Sequence, residues 1–337
     1  MKSLDVTTQV DEEHRLGAQA PVVRIDLDSD EAAAITECAE AMGPSGARID
    51  EIVGDARVIA AELPRRIRSF IERFRLAESA GAALIRGVPI DPDNLGPTPT
   101  SLEDLGHHRT AIADRSLTVL ATLAGDIFGW AAERDGALIH DLVPLRGHEK
   151  EQSGVSSDTV LGWHTDEAYH PLRCDYLGLL CLRNPDGVPT KVSVLDVTSL
   201  SGKHRDLLFR SEFVIRPESA HGEDNPVADS TVPILFGPRD DPYLRFDEGY
   251  TDLSAASDDC QAAFAELSKM FASEHSLSIV LEPGDLLLVD NYRSVHARGA
   301  FTARFDGTDR WLKRTYITRD LRKSRLYRST PSSRVVF

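Results

Sequence analysis

The chain has 337 residues, 41% of them hydrophobic, which is enough to bury a large core. Its 54 acidic side chains against 38 basic ones leave a formal charge of −16, a balance that speaks against a nucleic-acid or anionic-membrane partner. No run reaches the ~20 apolar residues of a spanning helix, and residues 1–20 lack the apolar centre of a signal peptide, so a cytoplasmic protein is expected.

Residues 1–20 are polar and mixed, and are expected to form a flexible N-terminus. Ser29-Asp30-Glu31 opens an Ala-rich helical stretch to Met42, and Ile49 to Phe74 carries two further helical patterns, the second starting at Pro64. Ala82 to Val88 reads as the first buried strand. Beyond the Gly96-Pro97-Thr98-Pro99 loop, Thr110 to Phe128 has apolar residues at helical spacing. Short strands are then expected at 137–143, 158–164, 174–183, 190–195, 212–216, 232–236, 243–247, 277–282, 285–290 and 311–318, interrupted by one helix over about 256–273. Helices first and many short strands after them predict an α+β fold, a β-sandwich or double-stranded β-helix (jelly roll) with flanking helices. No Pro/Gly/Ser-rich linker divides the chain, so residues 21–337 are expected to be a single domain. Segments 145–157 and 219–231 are polar and long for turns; covers over a site and plain surface loops are both open readings. Cys38, Cys174, Cys181 and Cys260 lack CxxC spacing and are expected as free thiols.

The chemistry concentrates in Gly162-Trp163-His164-Thr165-Asp166, answered far downstream by His296 and then Arg310. Two imidazoles and one carboxylate can hold a divalent metal on one side and leave the other open to ligands. On an extended segment His164 and Asp166 share a face, whereas Glu167 points to the opposite one. An Arg shortly after the distal His suggests a dock for a dicarboxylate, which a guanidinium grips bidentately. The same ligands suit a zinc hydrolase with an open fourth position, but a dicarboxylate clamp has no use in hydrolysis. A non-catalytic jelly-roll binding protein is the third reading, and the intact ligand set speaks against it.

WHTDEAYHP, CLRNPDG and GDLLLVDNYRSVHAR with RFDGTDRWLKR resemble the clavaminate synthase-like branch of iron(II)/2-oxoglutarate-dependent dioxygenases. The nearest likeness is to standalone hydroxylases of free arginine and asparagine, and it runs from about Ala82 to Arg325. The resemblance implies Fe(II), 2-oxoglutarate and O2, with His164, Asp166 and His296 as metal ligands. Those hydroxylases usually carry Glu where this chain has Asp166, although Asp is usual in the wider superfamily. With this carboxylate retained, a halide has no vacant position, so hydroxylation is expected rather than halogenation.

By the same resemblance, Arg310 and Thr190 bind the far carboxylate of 2-oxoglutarate. Arg314 holds the substrate's α-carboxylate, Glu133 its α-amino group, and Asp247 its polar or cationic end. Gly249 stands where some arginine hydroxylases carry a second Asp, which weakens a guanidinium reading; Glu218 is a candidate for the missing charge. Ser156, with Ser153 and Ser157, lies near the family's contact to the substrate backbone. His140, Arg146 and His170 are read as packing residues or as supports behind the site residues, and His107 and His108 as solvent-facing. The implied activity is hydroxylation of an unactivated carbon of a free polar or basic L-amino acid, arginine-like, in specialised metabolism such as antibiotic biosynthesis. Desaturation or ring closure uses the same residues.

Overall fold

Two β-sheets lie against each other in the computed structural model, each backed by helices on its outer side; the structure describes residues 20–44, 47–105, 110–217, 230–273 and 276–337. Expectations about residues 1–19, His107, His108, Glu218 and most of the 219–231 segment fall outside the described residues.

The larger sheet runs β1 (Ala20–Asp26), β2 (Ala80–Arg86), β14 (Leu286–Asp290), β6 (Tyr176–Arg183), β16 (Trp311–Thr318), β3 (Asp126–Trp130) and β17 (Val335–Val336), with β4 (His140–Leu142) also on β16. The smaller sheet runs β13 (Leu277–Ile279), β7 (Thr190–Val194), β15 (Ser294–Arg298) and β5 (Leu161–His164). Short strands β8 (Phe213–Ile215), β9 (Thr231–Val232) and β12 (Thr251–Asp252) form a third sheet, and β10 (Leu235–Phe236) pairs with β11 (Tyr243–Leu244).

The unbroken apolar run of β14 has a simple cause: both of its faces are buried. Leu286 and Leu288 point to the helical layer, while Leu287 and Val289 point between the two sheets with Leu177, Leu179, Val192 and Leu312. The helical layer is built from α1 (Ser29–Ala41), α2 (Ile49–Ile52), α3 (Ala56–Ala60), α4 (Arg65–Ala77) and α5 (Ala111–Ala124). Asp28 and Glu31 form a capping box that starts α1. Ile67, Ile71 and Phe74 give α4 its buried stripe, at a spacing that puts them on one face. Over the smaller sheet, α6 (Gly202–Leu208) and α7 (Asp258–Phe271) pack on a cluster containing Trp163, Phe246, Val295 and Ala297.

The expected helix over Thr110–Phe128 ends early. A Cβ on Gly125 would stand 2.4 Å from the Thr318 carbonyl oxygen, so the chain there lies directly on β16, and Asp126–Trp130 continues as a strand. Strands β1, β12, β15 and β17 and helix α6 were not expected from the sequence; β1 and β17 pair in parallel with neighbours distant in the chain. All four cysteines are free and buried.

Candidate active site

The site grows from the register of two adjacent strands in the smaller sheet. His164, the last residue of β5, lies opposite His296 in the middle of β15, and their rings are 4.1 Å apart between centroids. Alternation along β15 sends Val295 and Ala297 into the helix-backed core and leaves His296 facing the interior between the sheets. Asp166 follows in the turn after β5, and its Oδ1 stands 3.5 Å from His164 Nε2 and 3.0 Å from His296 Nε2. The three ligand atoms all lie within 4.8 Å of one another.

Glu167 departs from the expectation of an alternating strand. The chain has already turned, Glu167 has φ of 55°, and its buried side chain is placed by that left-handed backbone rather than by strand parity.

His164 Nδ1 donates to the Gly162 carbonyl at 2.9 Å, which leaves Nε2 as a lone-pair donor to the cluster. Burial opposes charge on His164, yet the hydrogen bond and charge of Asp166 prevail and raise it to about 9. Burial also opposes charge on Asp166, but both imidazoles and Arg314 hold its carboxyl well below the usual range. Burial, then the charge of His164, lowers His296. Asp166 Oδ2 is buried without a hydrogen-bond partner among the described residues, 3.6 Å from Arg314 Nη1. Two imidazoles and one carboxylate fit a divalent iron, whose entry would displace a proton from this cluster.

Asn291 holds this geometry, and the sequence reading passed over it. Its Oδ1 accepts from the Asp166 backbone N–H at 2.8 Å, while its Nδ2 donates to the carbonyls of Asp166 at 2.9 Å and Cys174 at 3.0 Å. The available signal was an Asn closing a wholly buried strand, since a buried amide must find partners.

Arg310 and Thr190 meet as expected: Arg310 Nη2 donates to Thr190 Oγ1 at 3.2 Å. Arg310 is buried, its Nε has no partner among the described residues, and burial lowers it to about 10. A buried guanidinium of this kind is poised for an anion.

Arg310, just before β16, and Leu312 and Arg314 on it line the pocket together with His164, Asp166 and His296. Arg314 Nη2 donates to Glu133 Oε2 at 2.6 Å, and its Nη1 is 3.6 Å from Asp166 Oδ2. The Tyr316 hydroxyl donates to Glu133 Oε1 at 3.1 Å. His140 stands behind the site residues, one of its two expected readings. Its Nε2 donates to the Ala137 carbonyl, so its Nδ1 accepts from Arg314 at 3.0 Å. Burial keeps this ring below its ordinary pKa, consistent with the neutral form.

Asp247 forms a β-bridge with His164 and is buried beside the metal cluster. Its Oδ1 accepts from the backbone N–H groups of Gly249 and Tyr250, both at 2.9 Å, and burial raises its pKa. Ser156 lies apart from the pocket-lining residues. Its hydroxyl donates to Ser153 O and accepts from Arg298, a residue the sequence reading did not single out; Ser153 and Gly154 line the pocket in its place.

Against known proteins, residues 216–316 match the profile of the taurine catabolism dioxygenase TauD, TfdA family. An enduracididine beta-hydroxylase of Streptomyces hygroscopicus is 37% identical, over 94% of this chain and 100% of that protein. An L-ornithine/L-arginine 3-hydroxylase of Catenulispora acidiphila is 34% identical, over 85% of this chain and 91% of that protein. The solved structure of the non-heme iron oxygenase OrfP with Fe and alpha-ketoglutaric acid superposes with a TM-score of 0.86 at 38% identity, covering 93% of this chain and all of that one (100%).

Proposed function

The chain belongs to the TauD/TfdA family of iron(II)/2-oxoglutarate-dependent dioxygenases, and from that premise we propose how its pocket residues divide the work of hydroxylating a basic amino acid. Iron held by His164, Asp166 and His296 supplies the redox chemistry by which O2 and the decarboxylation of 2-oxoglutarate to succinate drive hydroxylation of an unactivated carbon. Arg310 and Thr190 take the far carboxylate of 2-oxoglutarate. Their burial makes that charge-assisted contact strong and keeps the cosubstrate in one orientation.

The amino acid enters head-first. Arg314 takes its α-carboxylate and Glu133 its α-ammonium, each an ion pair that exchanges for part of the pair these two residues make with one another. His140 and Tyr316 hold Glu133 and Arg314 in place throughout. Asp247, beside His164, meets the distal cationic end. Gly249 borders it, since a Cβ there would be 3.5 Å from Asp247 Oδ1 and 4.0 Å from Gln152 Oε1. One acidic group rather than two then faces an arginine-like side chain. Leu177, Leu179 and Leu312 line the inner wall and exclude water from the reacting carbon.

The observation that carries this reading is the convergence, in one pocket between two sheets, of the metal triad, the buried Arg310 guanidinium and Arg314, which pairs with Glu133. The OrfP structures with Fe and L-Arg, and with Fe and L-canavanine, support a free amino acid with a guanidinium-like end as substrate. We read the facing sheets as a double-stranded β-helix, residues 21–337 as one domain, and the role as specialised metabolism. No helix of the described residues is long and apolar enough to cross a membrane. The test is succinate release with iron, 2-oxoglutarate and a panel of free amino acids, with product mass measured. A gain of one oxygen on arginine or a close basic relative is expected; turnover only of carrier-tethered residues, or of substrates lacking the α-amino group, refutes the reading.

A further inference from the structure

Arg298 is a buried cation that the roles above leave unused. It closes β15, where it lies opposite Thr190 of β7, so the two side chains are cross-strand neighbours. Thr190 Oγ1 in turn accepts from Arg310. Arg298 and Arg310 are therefore held on either side of one threonine, both buried and both lining the pocket. Each Nε is buried without a partner, and among the described residues neither guanidinium has a carboxylate in salt-bridge contact. Burial, and for Arg298 the charge of Arg310 as well, lowers each to about 10.

The rest of the Arg298 guanidinium is spent on the loop beside the amino-acid pocket. Its Nη1 donates to the Ser156 carbonyl, and its Nη2 to Ser156 Oγ at 2.8 Å and Thr159 O at 3.1 Å. Just beyond β15, the Phe301 N–H donates to the Ser157 carbonyl at 2.9 Å, so the whole stretch is moored there. Ser153 and Gly154, a few residues earlier on the same loop, line the pocket. One side chain thus has its donors on the loop and its charge beside Arg310.

We propose that Arg298 is a positioning residue that couples the 2-oxoglutarate site to residues 153–159, so that an occupied cosubstrate site orders this loop over the amino-acid pocket. The inference rests on Arg310 and Thr190 as the 2-oxoglutarate site. Two like charges buried around Thr190 repel one another, and a carboxylate placed between them removes that penalty. Arg298 is then more stable where it is, and so are the loop contacts it makes. Linkage makes the effect reciprocal: whatever strengthens the loop's hold on Arg298 also favours the carboxylate.

The experiment is hydrogen–deuterium exchange of the anaerobic iron-loaded enzyme, with and without 2-oxoglutarate, alongside calorimetric titration of 2-oxoglutarate. Wild type is expected to bind 2-oxoglutarate and to gain protection over 153–159. Arg298→Met is expected to weaken 2-oxoglutarate binding about tenfold, as loss of a charged contact does, and to lose the ligand-induced protection. Arg298→Lys keeps the charge but cannot span Ser156 and Thr159, so it should recover most of the affinity without the protection. It also serves if the Met variant does not fold. Wild-type protection by 2-oxoglutarate that persists unchanged in either variant overturns the coupling and leaves the 2-oxoglutarate reading intact. Failure of the wild type to bind 2-oxoglutarate overturns both.

Discussion

Arg310→Met should make the ligand-free protein more stable while destroying its response to 2-oxoglutarate. Among the described residues the buried guanidinium has one hydrogen bond, to Thr190, and no carboxylate beside it, and burial lowers it from its ordinary value to about 10. At 1.36 kcal/mol per pKa unit, that depression corresponds to about 3 kcal/mol of desolvation not recovered in the empty site. Met fills most of the same volume without charge and forfeits the Thr190 contact, worth about 1.5 kcal/mol. The net expectation is a gain of about 1–2 kcal/mol, read as a rise of roughly 1–3 °C in Tm for a chain of this length. In wild type, 2-oxoglutarate at about 100 times its Kd should add about 2.7 kcal/mol by mass action; in the variant that increment should vanish. Differential scanning calorimetry of iron-loaded, anaerobic protein, with and without 2-oxoglutarate, measures both quantities. A variant that loses more than about 1 kcal/mol without ligand and still shows the 2-oxoglutarate increment would refute the reasoning.

His296→Ala should abolish the iron–2-oxoglutarate charge-transfer band, because one of three converging ligand atoms is gone; a full band in that variant removes His296 from the metal site. Asn291→Ala leaves the buried backbone groups of Asp166 without their amide partner and should cost about 2–4 kcal/mol by urea unfolding, with weaker iron binding in direct titration. Asp290 is raised to about 7, chiefly by burial, so the folded state binds its proton more tightly than the unfolded state does. Its contribution to stability is complete below about pH 4 and is lost as the pH rises to about 7. Asp290→Asn should therefore stabilise the protein at pH 8, by up to about 4 kcal/mol, and have little effect near pH 4; equal effects at both values contradict the assignment. Asp247→Asn should depress kcat/KM for arginine-like substrates far more than uncoupled succinate formation, and equal losses in both would place Asp247 in the fold alone.

Composition, the ligand types and most of the strand positions were legible in the sequence, because each is written locally. A strand buried on both faces has to be a continuous apolar run, so Leu286–Asp290 announced itself. His164, Asp166, His296 and Arg310 were recognisable from their residue types and order, Arg314 from the family resemblance, and the fold brings all five to one pocket. What the chain could not show locally was how that set is aimed. Strand parity suggested that Glu167 faces away from Asp166, whereas a left-handed residue in a turn decides its direction. Asn291 and Arg298 read as ordinary polar residues until their partners were known, and those partners lie 125 and 142 positions away in the chain. The end of α5 likewise depended on a carbonyl of Thr318 pressing on Gly125. Periodicity and residue type report what a segment prefers. A hydrogen bond across a sheet, or the desolvation of a charge between two sheets, exists only once distant segments have met, and those contacts decided how this site is built.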